Sequence, residues 1–264
     1  MISKTNRLAI CKAGIKTSLI AAVALWATIA IAGVNEALIE AAMRGDLPEV
    51  ERLLAKGAKV NAKANIGVTA LMIASLKGHQ DVVEALLDKG AEVNNKDENG
   101  ATALMAASQE GHREIVQALI AKRAMVNAKK NDGWTALMIA SMKGHRDIVQ
   151  TLLAKGAEVN AKANIGVTAL MFASEKGHQE VVQALLDNGA EVNSKDKNGA
   201  TALMAASQEG HREIMQALLA TGAAINTKDN DGWTALMFAS QKGHREVVQT
   251  LLDKGADVNP KNKA

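Results

Sequence analysis

The stretch Thr69–Ala91, TALMIASLKGHQDVVEALLDKGA, decides the fold, because it comes back along the chain at a fixed interval of 33 residues. Gly78-His79 returns at Gly111-His112, Gly144-His145, Gly177-His178, Gly210-His211 and Gly243-His244. Thr-Ala-Leu-Met, starting at Thr69, returns in the same register at Thr102, Thr135, Thr168, Thr201 and Thr234. A degenerate unit stands before these, with Gly45-Asp46 lying 33 residues ahead of Gly78-His79 and Leu53-Leu54-Ala55-Lys56-Gly57-Ala58 matching later stretches. Seven units of this length account for the chain from residue 33 onward, and no separate catalytic domain is expected among them.

Within one unit the residues spell two short helices and a loop. Thr69 has the hydroxyl of an N-cap, which accepts a backbone N–H from the first turn, so a helix is predicted over Ala70 to Lys77. Gly78 ends it in a left-handed conformation without a Cβ penalty. A second helix is predicted over Asp81 to Asp88, where Val82, Val83, Leu86 and Leu87 fall on one apolar face. Gly90-Ala91 closes it, and residues 93–100 turn toward the next unit. Helices of this length do not hold alone in water, so stacking of units must bury their faces.

Composition agrees. Aromatic residues make up 2% of the chain with no Tyr, against 48% hydrophobic residues, which suits close-packed small helices and not a β-sandwich. One cysteine forms no internal disulfide. The net charge of +3 contains Lys4, Arg7, Lys12 and Lys16, all in the first 32 residues, where no acid occurs. Without them the chain is close to neutral and lacks the basic footprint of a nucleic-acid binder.

Those four cations, the apolar run Leu19–Ile31 and the small residues Ala30-Ile31-Ala32 follow the grammar of a secretory signal peptide. Cleavage after Ala32 and a periplasmic or secreted location are expected. The alternative is an uncleaved inner-membrane anchor with Trp26 near the interface, although the run is short for a span.

The repeating pattern resembles the ankyrin repeat, with its Gly-x-Thr-Pro-Leu-His, Gly-His and Leu-Leu-x-x-Gly-Ala signatures, across residues 35 to 259 in seven in-register copies. The resemblance implies an all-α solenoid of seven stacked helix-turn-helix units joined by turn fingers. Two departures recur: Ala70 and its equivalents replace the family's Pro, and Met72, Met105, Met138, Met171, Met204 and Met237 replace its His. Thioether packing is expected in place of that histidine's hydrogen bonds.

A second period of 99 residues lies above the first. Asn65-Ile66-Gly67-Val68 returns as Asn164-Ile165-Gly166-Val167, and Gly133-Trp134 as Gly232-Trp233. Roughly three-quarters of the two blocks are identical, as a duplicated triplet of repeats would be. Any triplet-sized site should therefore occur twice.

Chemistry finds little foothold. All six histidines occupy the Gly-His position, and equivalent helices about 8–10 Å apart are too distant for neighbours to share a metal ion. Each is expected to orient its own helix pair. The methionine ladder fails as a copper site by the same spacing. The recurring Ser75, Ser108, Ser141, Ser174, Ser207 and Ser240 read as small-residue packing, and no nucleophile elbow, phosphate loop or zinc set is present. No enzyme activity and no cofactor are expected.

What varies between copies carries the specificity. The resemblance implies a concave ligand surface built from the fingers and the exposed edge of each first helix. Carried onto this chain it selects Ile66, Val68 and Leu76, then Glu98 and Asn99, then Trp134 and Met142. The second block adds Ile165, Val167 and Glu175, then Lys197, then Trp233 and Gln241. Exposed apolar groups with a charged surround suit a protein partner; alternatively, the tryptophans pack over the adjacent turn. The function expected is a non-catalytic binding scaffold for a protein partner of unknown identity, with a membrane-tethered adaptor or an exported effector meeting a host protein as alternatives.

Overall fold

The computed structural model describes residues 33–259, so the leader or anchor expected over 1–32 lies outside the described residues. Among the described residues there are α-helices and turns, with a single isolated bridge between Lys63 and Thr69 as the only β pairing. The chain forms two compact units that meet in sequence at Met125 and Val126.

In the first unit the helices are α1 (Val34–Arg44), α2 (Leu47–Ala55), α3 (Ala70–Lys77), α4 (Gln80–Asp88), α5 (Ala103–Glu110) and α6 (Arg113–Ala121). The second unit holds α7 (Ala136–Lys143), α8 (Arg146–Ala154), α9 (Ala169–Lys176), α10 (Gln179–Asp187), α11 (Ala202–Glu209), α12 (Arg212–Ala220), α13 (Ala235–Lys242) and α14 (Arg245–Asp253). In each unit the first helices of successive repeats form one layer, α1 on α3 on α5 and α7 on α9 on α11 on α13. The second helices form the other, α2 on α4 on α6 and α8 on α10 on α12 on α14. Each unit is thus a short helical-repeat solenoid.

The two layers differ in how the sequence buries them. In α3 every residue from Ala70 to Leu76 is buried, since the helix is held between its neighbours and α4. In α4 only Val82, Val83, Leu86 and Leu87 are buried, so this layer is amphipathic and its other face is wet. The threonine caps form as the sequence predicts, with Met72 N–H donating to Thr69 Oγ1 at 3.3 Å and the same bond at Met105, Met138, Met171, Met204 and Met237. The methionines fill the core: Met72, Met105, Met138, Met171 and Met204 are all buried.

The histidines correct an expectation. The side chains of His79, His112, His178, His211 and His244 do not bond within their own helix pair but reach back to the previous repeat. The Nε2–H of His79 donates to the Met43 carbonyl at 3.1 Å and that of His112 to Leu76 at 3.1 Å. In the second unit His178, His211 and His244 donate to the carbonyls of Met142, Glu175 and Gln208 at 3.0, 3.1 and 2.9 Å. Each of these five rings lies over the helix-ending glycine of the repeat before it, where a Cβ on Gly177 would stand 2.6 Å from the His211 ring. A second ladder runs through the asparagines that follow Val or Ile. Asn160 donates to the Gly189 carbonyl at 3.1 Å and accepts from Glu191 N–H at 2.8 Å, and Asn61, Asn94, Asn127 and Asn193 do the same one repeat apart.

Arg123 stands where the other repeats have glycine, and it takes φ 68°. The equivalent Gly57 and Gly90 have open space where a Cβ would sit, so the penalty at Arg123 is backbone strain without a clash. Arg123→Gly should raise stability by about 1 kcal/mol. A urea midpoint that does not rise would show that the left-handed angle at Arg123 carries no net cost.

The two ends of the repeat series are built differently. The first repeat shows solvent the ion pairs Arg44–Glu40, at 2.8 Å, and Arg52–Glu49, whose guanidinium holds the Glu49 carboxyl below its usual range. Asp46, in the histidine position, caps α2 by accepting from Glu49 N–H at 3.1 Å. The last repeat keeps Val247 and Leu251 buried but leaves Val248 half-buried and Leu252 36% exposed.

Candidate functional site

The fingers are tight turns between the asparagine ladder and the next first helix. Three are built on an aspartate whose Oδ1 accepts two backbone N–H groups. Asp97 takes those of Asn99 and Ala101 at 2.9 and 2.7 Å, Asp196 those of Asn198 and Ala200 at 2.9 and 2.8 Å, and Asp229 those of Asp231 and Trp233 at 3.0 and 2.7 Å. Adjacent fingers join through the backbone. In the first unit Glu98 N–H donates to the Ile66 carbonyl at 2.9 Å. In the second, Asn164, Lys197 and Asn230 donate to the carbonyls of Asp132, Ile165 and Asn198 at 2.8, 3.0 and 2.9 Å. The turn glycines permit this approach, for a Cβ on Gly166 would stand 2.9 Å from the Lys197 nitrogen.

Asp196 is buried, and burial raises its carboxyl above the usual range against the two backbone donors that favour the anion, with the Asp229 charge adding to the rise. A raised folded-state value means that this group lends stability when protonated. That contribution is present below the ordinary carboxylate range and lost as pH rises through the folded value. Asp196→Asn keeps an Oδ1 acceptor for both N–H groups and removes the buried charge. The variant should therefore match or exceed the parent's urea midpoint at pH 7, with its advantage shrinking as pH falls. A variant less stable at pH 7 than at low pH, relative to the parent, would contradict this account of the charge.

The residues selected from the sequence divide into three groups. Glu98, Asn99, Ile165, Lys197 and Gln241 are exposed, with Ile165 showing 46% of its surface. Ile66, Met142, Glu175 and Trp233 are half-buried, and Lys176 Nζ lies 3.2 Å from the Glu175 carboxylate. Val68, Val167, Leu76 and Trp134 are buried, which corrects their assignment to the exposed surface. The residue after the finger glycine turns inward beneath the finger, as Ala101 and Ala200 also do. Trp134 packs on Phe172 of the following repeat, ring centres 4.3 Å apart, so the packing reading of this tryptophan holds. Trp233 rests on Phe238 of its own repeat at 5.2 Å and keeps part of its ring in solvent.

These groups offer ordered side chains on backbone-linked turns, and among the described residues no three His, Cys, Asp or Glu side chains gather to hold a metal. The profile described as Ankyrin repeats (3 copies) matches residues 20–97, 92–163, 126–196 and 170–262. The chain belongs to the ankyrin-repeat family. The human ASB11 ankyrin repeat domain is similar to it in structure, with a TM-score of 0.76 and 30% identity over 83% of this chain and 98% of that one. No curated protein sequence matches. Ankyrin repeat proteins are generally non-catalytic binding scaffolds, and the repeats of this chain indicate a scaffold for protein–protein interaction.

The ankyrin resemblance accounts for the helices, yet the histidine and asparagine ladders that bind repeat to repeat were not singled out from the sequence. The signal for the second was present, because Val or Ile followed by Asn recurs at Asn61, Asn94, Asn127, Asn160, Asn193 and Asn226.

Proposed function

We propose that this ankyrin-repeat chain is exported and binds its protein partner through the finger tips and the adjoining ends of the first helices. The observation that supports the reading most is the backbone ladder from finger to finger. It fixes Glu98 and Asn99 in one unit and Ile165 and Lys197 in the other on turns that need no ordering when a partner arrives. The repeat frame is constant while these side chains change from copy to copy, which is how a scaffold encodes one partner. The test is capture with the full chain beside a variant carrying Glu98→Lys, Ile165→Glu and Lys197→Glu. All three sites face solvent, so the urea midpoint should stay within about 0.5 kcal/mol of the parent. The captured partner should be lost. Undiminished capture would move the binding surface elsewhere.

Export rests on the cations and apolar run before Gly33. N-terminal sequencing of the protein from its source decides between release and tether: a start at Gly33 supports the exported form, and an intact Met1 in the membrane fraction overturns it in favour of a tethered adaptor.

A further inference from the structure

Among the described residues, the seventh repeat has none of the contacts that a following repeat makes with the others. Gln208 and Glu175 receive an imidazole N–H on their carbonyls; Gln241 holds that position and receives none from the described residues. The rings that cover Gly177 and Gly210 have no counterpart over Gly243, where nothing lies within 4 Å of a Cβ. Met204 and Ser207 are 1% and 0% exposed, yet their equivalents Met237 and Ser240 are half-buried and exposed. Arg146 and Arg212 each lie near a glutamate of the following repeat, at 3.8 and 3.6 Å, whereas Arg245 meets no carboxylate among the described residues. Trp233, Met237, Val248 and Leu252 therefore form an apolar face with a cation at its edge.

We infer that this face binds a second copy of the chain about a two-fold axis. Two observations select that occupant. The first repeat does not fit the face, since it carries Asp46, an acceptor, where the uncovered Gln241 carbonyl asks for a donor, and it presents Glu40 and Arg44 to solvent. Head-to-tail stacking is thereby disfavoured. The face is complementary to itself instead. Arg245 opens α14 and Asp253 closes it, about 12 Å apart along the helix. Two copies of α14 laid antiparallel, across a two-fold axis perpendicular to the helix, bring Arg245 to the partner subunit's Asp253 at both ends, with Val248 and Leu252 between. Asp253 is held from its own side by Gln249 Nε2–H, which donates to Oδ1 at 2.8 Å.

Sedimentation equilibrium of the full chain tests this without reference to any other partner, so its failure leaves the finger surface untouched. The expected mass is twice the 27.7 kDa of one chain at about 10 µM. Leu252→Glu, at a side chain already 36% exposed, should weaken association about tenfold or more with an unchanged urea midpoint. Arg245→Asp and Asp253→Arg should each weaken it, and the double exchange should restore it. Rescue by the exchange is a result that association through residues 1–32 cannot give. A monomer at about 100 µM, a mass that climbs without limit, or a dimer indifferent to Leu252→Glu would each overturn the proposal.

Discussion

Gly177→Ala should cost about 2–4 kcal/mol, and Gly243→Ala only about 1 kcal/mol, although the two glycines share a sequence motif and nearly the same backbone. Both end a first helix in the left-handed region, at φ 79° and 77°. That conformation charges an alanine on the order of 1 kcal/mol at either site. At Gly177 the new methyl would also stand 2.6 Å from the His211 ring, which must move. Moving it stretches or breaks the bond from His211 Nε2–H to the Glu175 carbonyl, a loss of about 0.5–1.5 kcal/mol, and disturbs a close-packed joint between repeats. At Gly243 nothing lies within reach. Urea midpoints for the two variants measure the difference directly, and since stability in a stack sums repeat and interface terms, the interior change acts on both. Equal losses would mean that the histidine ladder yields freely and that the Gly-His pair is only a helix stop.

That pair shows how far the sequence could be read. Its 33-residue recurrence gave the helices, their threonine caps and the glycine stops, because all of these are local: the donor and acceptor lie within one turn of each other. The histidine bond instead spans 36 residues and the two bonds of each asparagine span 29 and 31, so spacing revealed that the residues recur without revealing which repeat they grip. The fingers were misread for a related reason. A residue next to a turn glycine was placed on the outside, yet Val68, Val167 and Trp134 turn under the finger once a neighbouring first helix is there to receive them. Context also separates identical words. Asn-Ile-Gly-Val puts Ile66 at φ 62°, a costly angle for a β-branched residue, but leaves Ile165 out of that region. Asn164 donates its backbone N–H and its side-chain amide to the preceding finger, at Asp132 and Asn131, both 2.8 Å away. Asn65 has no described finger before it. In the last repeat Val248 and Leu252 keep the apolar pattern of the interior copies, which the sequence shows directly.

Phe172→Ala should destabilise the second unit by about 3–5 kcal/mol and shift the emission of Trp134 to the red. Phe172 is fully buried, and its ring lies 4.3 Å from that of Trp134 at a tilt of 37°. Truncation removes the buried ring, leaves a cavity between two repeats and exposes one face of the indole; the aromatic pairing alone accounts for about 0.5–1.5 kcal/mol of the loss. Phe172→Ile should cost less than about 1.5 kcal/mol, because Ile73 and Ile139 already fill the equivalent position in their own repeats and are buried there. Spectra of variant minus parent separate Trp134 from Trp233, whose ring pairs with Phe238 instead. The pair of substitutions also tests where the binding surface ends. If Trp134 is a packing residue, Phe172→Ile leaves partner capture intact, and Phe172→Ala weakens it only under conditions where the unit has begun to unfold. Loss of capture by Phe172→Ile with an unmoved urea midpoint would instead return Trp134 to the surface that meets the partner.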